Sequence, residues 1–184
     1  MSTTKVVAVS LGHLGVRTDW KLLRTLCERL PGLTLVLVGG YYDDEAAGDP
    51  DYPWCRASEQ ILWLGRLDDE GAARAILLAD VGIVPFKVEP FNDAALPYRI
   101  IKYARLGRHT VSPELAGVRT WARAVTTAAD PESFAAELLK HAGTRLRPDT
   151  ALREWAMAQT AEVSNAPLWH RLVALGVPTG QSRG

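Results

Sequence analysis

Two stretches of this 184-residue chain carry the residue types that could hold an anion. In the first, Leu11–Thr18, Gly12 and Gly15 precede Arg17 and Lys21. Glycines let a backbone approach a phosphate, a helix start offers unpaired N–H groups, and a cation completes the charge balance. No G-K-[ST] follows the G-x-x-G spacing, and the third glycine of G-x-G-x-x-G is missing. On the loop alone, a plain βα turn with solvated Arg17 and Lys21 is the simpler account. The second stretch runs from Pro85 to Arg108. A loop as long as Phe86–Leu96 is uncommon without a function, and it leads to a helix start at Pro97. Arg99, Lys102, Arg105 and Arg108 follow, with no acidic residue between Leu96 and Thr110. At about 100° per residue these cations drift around a helix. The first one or two can reach one ligand, and the rest read as a solvated face.

Other chemistries find less support. His13 lies in the glycine loop, where it could contact a phosphate or a sugar or be a polar loop residue. His109 begins a strand beside Arg108, while His141 and His170 fall in helical patterns and read as structural. No Ser-His-Asp or Cys-His arrangement stands at a recognised spacing, so no catalytic residue is assigned. Cys27 and Cys55 form no C-x-x-C pair and have no histidines at metal spacing, which gives no metal site and the thiols of a reduced, cytoplasmic protein. Lysine plus arginine total 21 and aspartate plus glutamate total 21. That balance leaves no long-range field to attract a polyanion and argues against a nucleic-acid partner. Apolar runs such as Val6–Val9 and Leu35–Val38 are far below the ~18–20 residues that span a bilayer, and Met1–Lys5 leads into the first run without a signal-peptide cleavage pattern.

The elements that must position these residues alternate between β-branched runs and amphipathic stretches, the pattern of βαβ units around a buried parallel sheet. Strands are expected at Lys5–Ser10, Leu33–Val38, Ile61–Gly65 and Val81–Phe86, with weaker ones at Thr110–Ser112 and Ala124–Thr127. Leu33–Val38 is continuously apolar and so suits a central strand covered on both faces. Asp19 caps a helix carrying Trp20, Leu23, Leu26, Cys27 and Leu30, and Asp68 or Asp69 caps another through Leu78. Tyr41–Ser58 reads as a loop or a loop with a helical turn. Pro97 opens a helix to Leu106 that Gly107 stops. Asp130-Pro131 opens one through His141 with Phe134, Leu138 and Leu139 inward. Beyond Pro148 two helices follow with no strand between them, a tail that must lie on something; Pro178–Gly184 reads as disordered. Right-handed crossovers would gather the loops Leu11–Thr18, Gly39–Asp43, Gly65–Asp69 and Phe86–Leu96 on one rim, at the carboxyl ends of the strands.

Five blocks in order resemble a known family. They are Leu11-Gly12-His13-Leu14-Gly15 with Thr18-Asp19-Trp20, then Leu35–Gly39, Trp63-Leu64-Gly65, Ala79–Phe86 and Pro97–Gly107. Together they resemble the C-terminal, nucleotide-sugar-binding half of GT-B glycosyltransferases of the group 1 type, over roughly Lys5 to Leu175. The resemblance implies an α/β fold, a Rossmann-like doubly wound parallel sheet with helices on both faces and a C-terminal helical extension. Residues 1–184 would be one donor-binding domain, with a core over about 5–142 and C-terminal helices over about 148–176 that turn back toward an N-terminal domain. It implies that Gly12, His13 and Gly15 with Arg17 or Lys21 face the donor diphosphate. Gly65 and Arg66 would line the base, and Asn92 with Arg99 and Lys102 would hold phosphates and sugar. The implied activity is transfer of a hexosyl unit from a nucleotide diphosphate sugar to an acceptor, needing no other cofactor. An acceptor-binding N-terminal domain would be required in cis or in trans.

The departures point elsewhere. Where the family has two acids, one gripping ribose hydroxyls, this chain has Ala94 and Lys102, and Arg99 stands at the lysine position. A lysine donates to a hydroxyl but cannot accept from it. Lys102 could instead meet a phosphate. The alternative reading is a non-catalytic partner or scaffold domain of GT-B ancestry that has lost nucleotide binding.

Overall fold

The computed structural model describes residues 4–176. Its sheet is built around the two most apolar runs, β1 (Val6–Leu11) and β2 (Leu33–Val38), which pair in parallel over their whole length. Between them α1 (Trp20–Arg29) is capped by Asp19, whose carboxylate accepts from the Leu22 N–H, as the sequence predicts. After β2 come two short helices, α2 (Asp43–Ala46) and α3 (Tyr52–Ala57), where the sequence suggests at most one turn. Next are β3 (Ile61–Gly65), α4 (Asp69–Leu78, capped by Asp68) and β4 (Val81–Ile83). Strand β4 is shorter than the predicted Val81–Phe86 because Pro85 cannot donate to a ladder, although Val84 and Phe86 stay buried. Then follow α5 (Pro90–Asp93), α6 (Arg99–Arg105), β5 (Thr110–Pro113), β6 (Val125–Ala128), α7 (Pro131–Lys140), α8 (Thr150–Met157) and α9 (Ala161–Ala174).

All strand pairs are parallel, in the order β3-β2-β1-β4-β5-β6. The doubly wound sheet inferred from the sequence is therefore present, with its reversal of winding between β1 and β4. Trp20, Leu23 and Leu26 of α1, Cys55 of α3, and Phe134 and Leu138 of α7 cover one face over Ala8, Leu35 and Leu37. Ala72, Ala75 and Ile76 of α4 and Tyr103 of α6 cover the other over Val9, Val36 and Val38. Covering both faces is what makes these strands uniformly apolar, and truncating a residue such as Leu35 to alanine would cost about 2–5 kcal/mol.

Four expectations are corrected. Leu139 is 38% exposed, and Ala135 takes the inward place beside Phe134 and Leu138. Arg108 is no solvated charge but fully buried at the end of α4, donating to the carbonyls of Ile76, Leu77, Thr144 and Arg145. Of the tail, α8 packs against α6 through Leu152 and Ala156, whereas Val163, Leu168, Trp169 and Val173 of α9 are exposed. His170, on the same helix, is exposed too. Pro178–Gly184 lies outside the described residues.

Candidate functional site

At the carboxyl ends of β1, β2 and β4 the chain leaves a crevice of about 480 Å³. Each of the four loops assigned to the rim contributes to its lining, through Gly12 and Arg17, Gly39, Arg66 and Asp69, and Phe86 and Leu96, and α6 adds Arg99 and Lys102. Two glycines make its floor. A Cβ at Gly39 (φ +149°) would run into the carbonyl oxygen of Gly12, so the loops after β1 and β2 can meet only there. A Cβ at Gly12 (φ +116°) would sit 2.6 Å from a terminal guanidinium nitrogen of Arg99.

Arg17 reaches the crevice because two loops are stitched together beneath it. The Asp19 N–H donates to the Pro85 carbonyl at 2.8 Å, and the Lys87 N–H to the Arg17 carbonyl at 3.1 Å. Asn92, fully buried, accepts from Arg17 Nε at 2.7 Å. Its own amide nitrogen donates to the Lys87 carbonyl at 2.8 Å and Glu89 Oε1 at 3.0 Å. The guanidinium lies 4.5 Å from the centre of the Phe86 ring and 4.8 Å from that of Phe91. Arg99 stacks on the same Phe86 ring at 4.7 Å and donates to Ser10 Oγ at 3.2 Å. Cation–π contact and one neutral acceptor hold each cation in place without discharging it. Among the described residues neither has a carboxylate within ion-pair distance. Burial pushes the Arg99 pKa down; Tyr103 opposes the shift, and the positive charge of Arg17 adds to it more weakly. A guanidinium stays charged near neutral pH all the same. Behind them the phenol of Tyr103, pushed up to about 12 by burial, accepts from the Leu11 N–H at 2.8 Å.

The remaining sequence candidates divide. Arg66 lines the crevice, its guanidinium donating to the Tyr42 hydroxyl at 2.8 Å. Lys102 lines it beside Asp69. Gly65 (φ +68°) makes the turn below, its carbonyl accepting from the Gly39 N–H. His13 lies outside the crevice lining, bonded to Glu45 at 2.6 Å and stacked on Tyr42, and its hydrogen bond holds the Glu45 carboxyl below its ordinary pKa. Gly15 lies under the same Glu45 carboxylate, where a Cβ would clash with it. Lys21 lines a separate hollow of about 260 Å³ between α1 and α7. Asn92 sits behind the wall as the holder of Arg17. Phe86 and Asp69, which the sequence places at the ends of two rim loops without a role of their own, both line the crevice. Among the described residues no three His, Cys, Asp or Glu side chains are grouped to hold a metal ion.

No protein-family model matches the sequence. The chain is 24% identical over 110 residues to TuaH of Bacillus subtilis, a protein provisionally named as a teichuronic acid biosynthesis glycosyltransferase. That match takes in 60% of this chain and 27% of TuaH. Among solved structures it is similar to the catalytic domain of the Helicobacter pylori cholesterol-α-glucosyltransferase, with TM-score 0.63, 12% identity, and 85% of this chain and all of that one covered. It is also similar to Anabaena HepE bound to UDP and glucose, with TM-score 0.59, 16% identity, and 93% and 49% covered. A third likeness is to a UDP-forming trehalose-phosphate synthase from Burkholderia vietnamiensis, with TM-score 0.63, 13% identity, and 95% and 45% covered. The chain thus spans about a quarter of its curated relative and about half of the last two structures. At these identities the likeness is one of fold: the Rossmann-like sheet is that of GT-B glycosyltransferases.

Proposed function

We propose that this chain is the donor-binding half of a glycosyltransferase, which takes a nucleotide diphosphate sugar into the crevice and presents it to an acceptor held by an N-terminal domain in cis or in trans. The observation that carries this reading is the pair Arg17 and Arg99, two cations held against their mutual repulsion on one aromatic ring, with no carboxylate partner among the described residues. Two such charges at the carboxyl ends of parallel strands suit a diphosphate. As the glycosidic bond breaks, charge develops on the leaving diphosphate, and preorganised cations stabilise it there. HepE, a structural neighbour with UDP and glucose bound, supports the ligand class. Without a second half to bring an acceptor, the chain alone binds the donor but transfers nothing.

Calorimetric titration of the chain with UDP, GDP and their glucose conjugates tests the reading. One saturable site is expected, weakened at least about tenfold by Arg99→Ala, the loss of a charge-assisted contact. Failure of all four ligands to bind at millimolar concentration would leave the non-catalytic partner or scaffold in its place.

A further inference from the structure

The sheet ends in two edge strands of opposite character. On β6 the residues turned to solvent are Thr126 and Thr127. At the other edge, Gln60 and β3 read Gln-Ile-Leu-Trp-Leu-Gly, without a charge or a proline, the devices that usually keep an open edge from pairing. Alternation puts Ile61 and Trp63 on the face covered by α1 and α3, and leaves Leu62 and Leu64 on the other, beside Val36. On that face α4 packs over β1 and β2, and Leu62 and Leu64 stay 48% and 44% exposed. The backbone is open as well. The Leu35 N–H donates to the Gln60 carbonyl at 2.8 Å, so Gln60 and Leu62 direct their backbone groups to β2 while Trp63 turns its N–H and C=O outward. Neither group has a partner among the described residues.

What completes such an edge is another strand, and a second β3 fits it. In an antiparallel pair two opposed residues can exchange both of their N–H to C=O bonds. With Trp63 opposite Trp63 of a second copy, the two open groups of each satisfy those of the other. The same register sets Leu62 opposite Leu64 of the second copy, and Leu64 opposite its Leu62, which closes four half-exposed leucines on one another across a two-fold axis. A slip of one residue would put these leucines on opposite faces. The charges at the strand ends agree with this direction. Glu59 and Arg66 flank the strand, and among the described residues neither is in an ion pair. Antiparallel pairing brings the Glu59 end of each copy alongside the Arg66 end of the other. We propose that β3 is a dimerisation edge, paired antiparallel with β3 of a second copy about a two-fold axis at Trp63. A strand of five residues spans about 17 Å, so the contact is short and the dimer forms only as concentration rises. This pairing is independent of what the crevice binds.

Sedimentation equilibrium of the full chain from about 1 μM to about 1 mM is the first test, and a reversible monomer–dimer equilibrium is expected within that range. Hydrogen exchange at the Trp63 amide should slow as the dimer fills, a readout that needs no substitution. Leu62→Glu and Leu64→Lys, made singly, should each weaken the dimer at least about tenfold. Made together they should restore it, because each glutamate then faces a lysine of the second copy. Both leucines are half-exposed, so these changes leave the fold intact, which circular dichroism checks. A chain that stays monomeric at the highest concentration, a Trp63 amide that exchanges at one rate throughout, or a folded double variant no more dimeric than the single ones would overturn the proposal. A dimer held through another surface, such as the exposed side of α9, would give the second of these results.

Discussion

The two ends of the sheet treat charge in opposite ways. At the amino ends of the strands the two buried charged side chains among the described residues, Asp80 and Arg108, are met by several partners each. Asp80 accepts from the Val7 N–H at 2.9 Å, the Arg145 N–H at 3.1 Å and the Arg145 guanidinium at 2.6 Å. Arg108 donates to four backbone carbonyls. At the carboxyl ends Arg17 and Arg99 have one neutral side-chain acceptor each, share an aromatic ring and face a crevice. Saturated charges fasten elements together, while charges left open are available to something from outside. Residue type does not separate the two roles, since arginine serves in both.

The contrast breaks first at Asp80. Asp80→Ala should lower the unfolding free energy by about 3 kcal/mol in urea, since it strands a buried N–H and a guanidinium, and should leave ligand affinity per folded molecule unchanged. A loss of ligand affinity there would erase the distinction between the ends. Asn92→Ala falls between the regimes. It removes a buried hub of hydrogen bonds, at about 1–3 kcal/mol of stability, and frees Arg17, so denaturation and UDP titration should both register it. Arg99→Ala should do the reverse of Asp80→Ala, with affinity falling and stability changing by no more than about 1.5 kcal/mol, since the lost hydrogen bond to Ser10 is offset by relief of the repulsion from Arg17.

The smallest effect concerns pH at the saturated end. His141 stacks on His109 with ring centres 5.5 Å apart, and His109 bonds Asp149, the cap of α8, at 2.9 Å. Burial, and then the neighbouring His109, push the His141 pKa below its ordinary 6.5, with Lys140 acting the same way and Glu137 and Asp80 opposing. The unfolded chain takes up this proton first as pH falls. The stability contributed is therefore complete above about 6.5 and lost as pH drops from there through the folded-state value. Denaturation at stepped pH should show His141→Gln flattening that slope, and an unchanged slope would remove His141 from the account.

What the sequence makes legible follows the range of the interaction. Asp19, Asp68 and Asp130 cap their helices through N–H groups three residues on, and each was readable from a short window. The strand Leu33–Val38 was readable from its own composition. Arg108 reads from the sequence as a solvated charge because its partners lie more than thirty residues away, at the end of α4 and around Thr144. His13 is diverted by Glu45, 32 positions later. Arg17 and Asn92 were both candidates, but that one holds the other depends on the adjacency of β1 and β4, which no local pattern carries. Lys21 follows Arg17 closely in sequence, yet it sits on the first turn of α1 and lines the hollow beside α7 instead.

The arginine side-chain Nε–H signals in a nitrogen-proton correlation spectrum test the central claim most directly, because they report each guanidinium separately. On titration with UDP, those of Arg17 and Arg99 are expected to shift along one saturable curve while that of Arg108 stays where it is. Arg17 and Arg99 signals that do not move with millimolar UDP or GDP, or that move only as much as that of Arg108, would contradict the assignment of the crevice as an anion site.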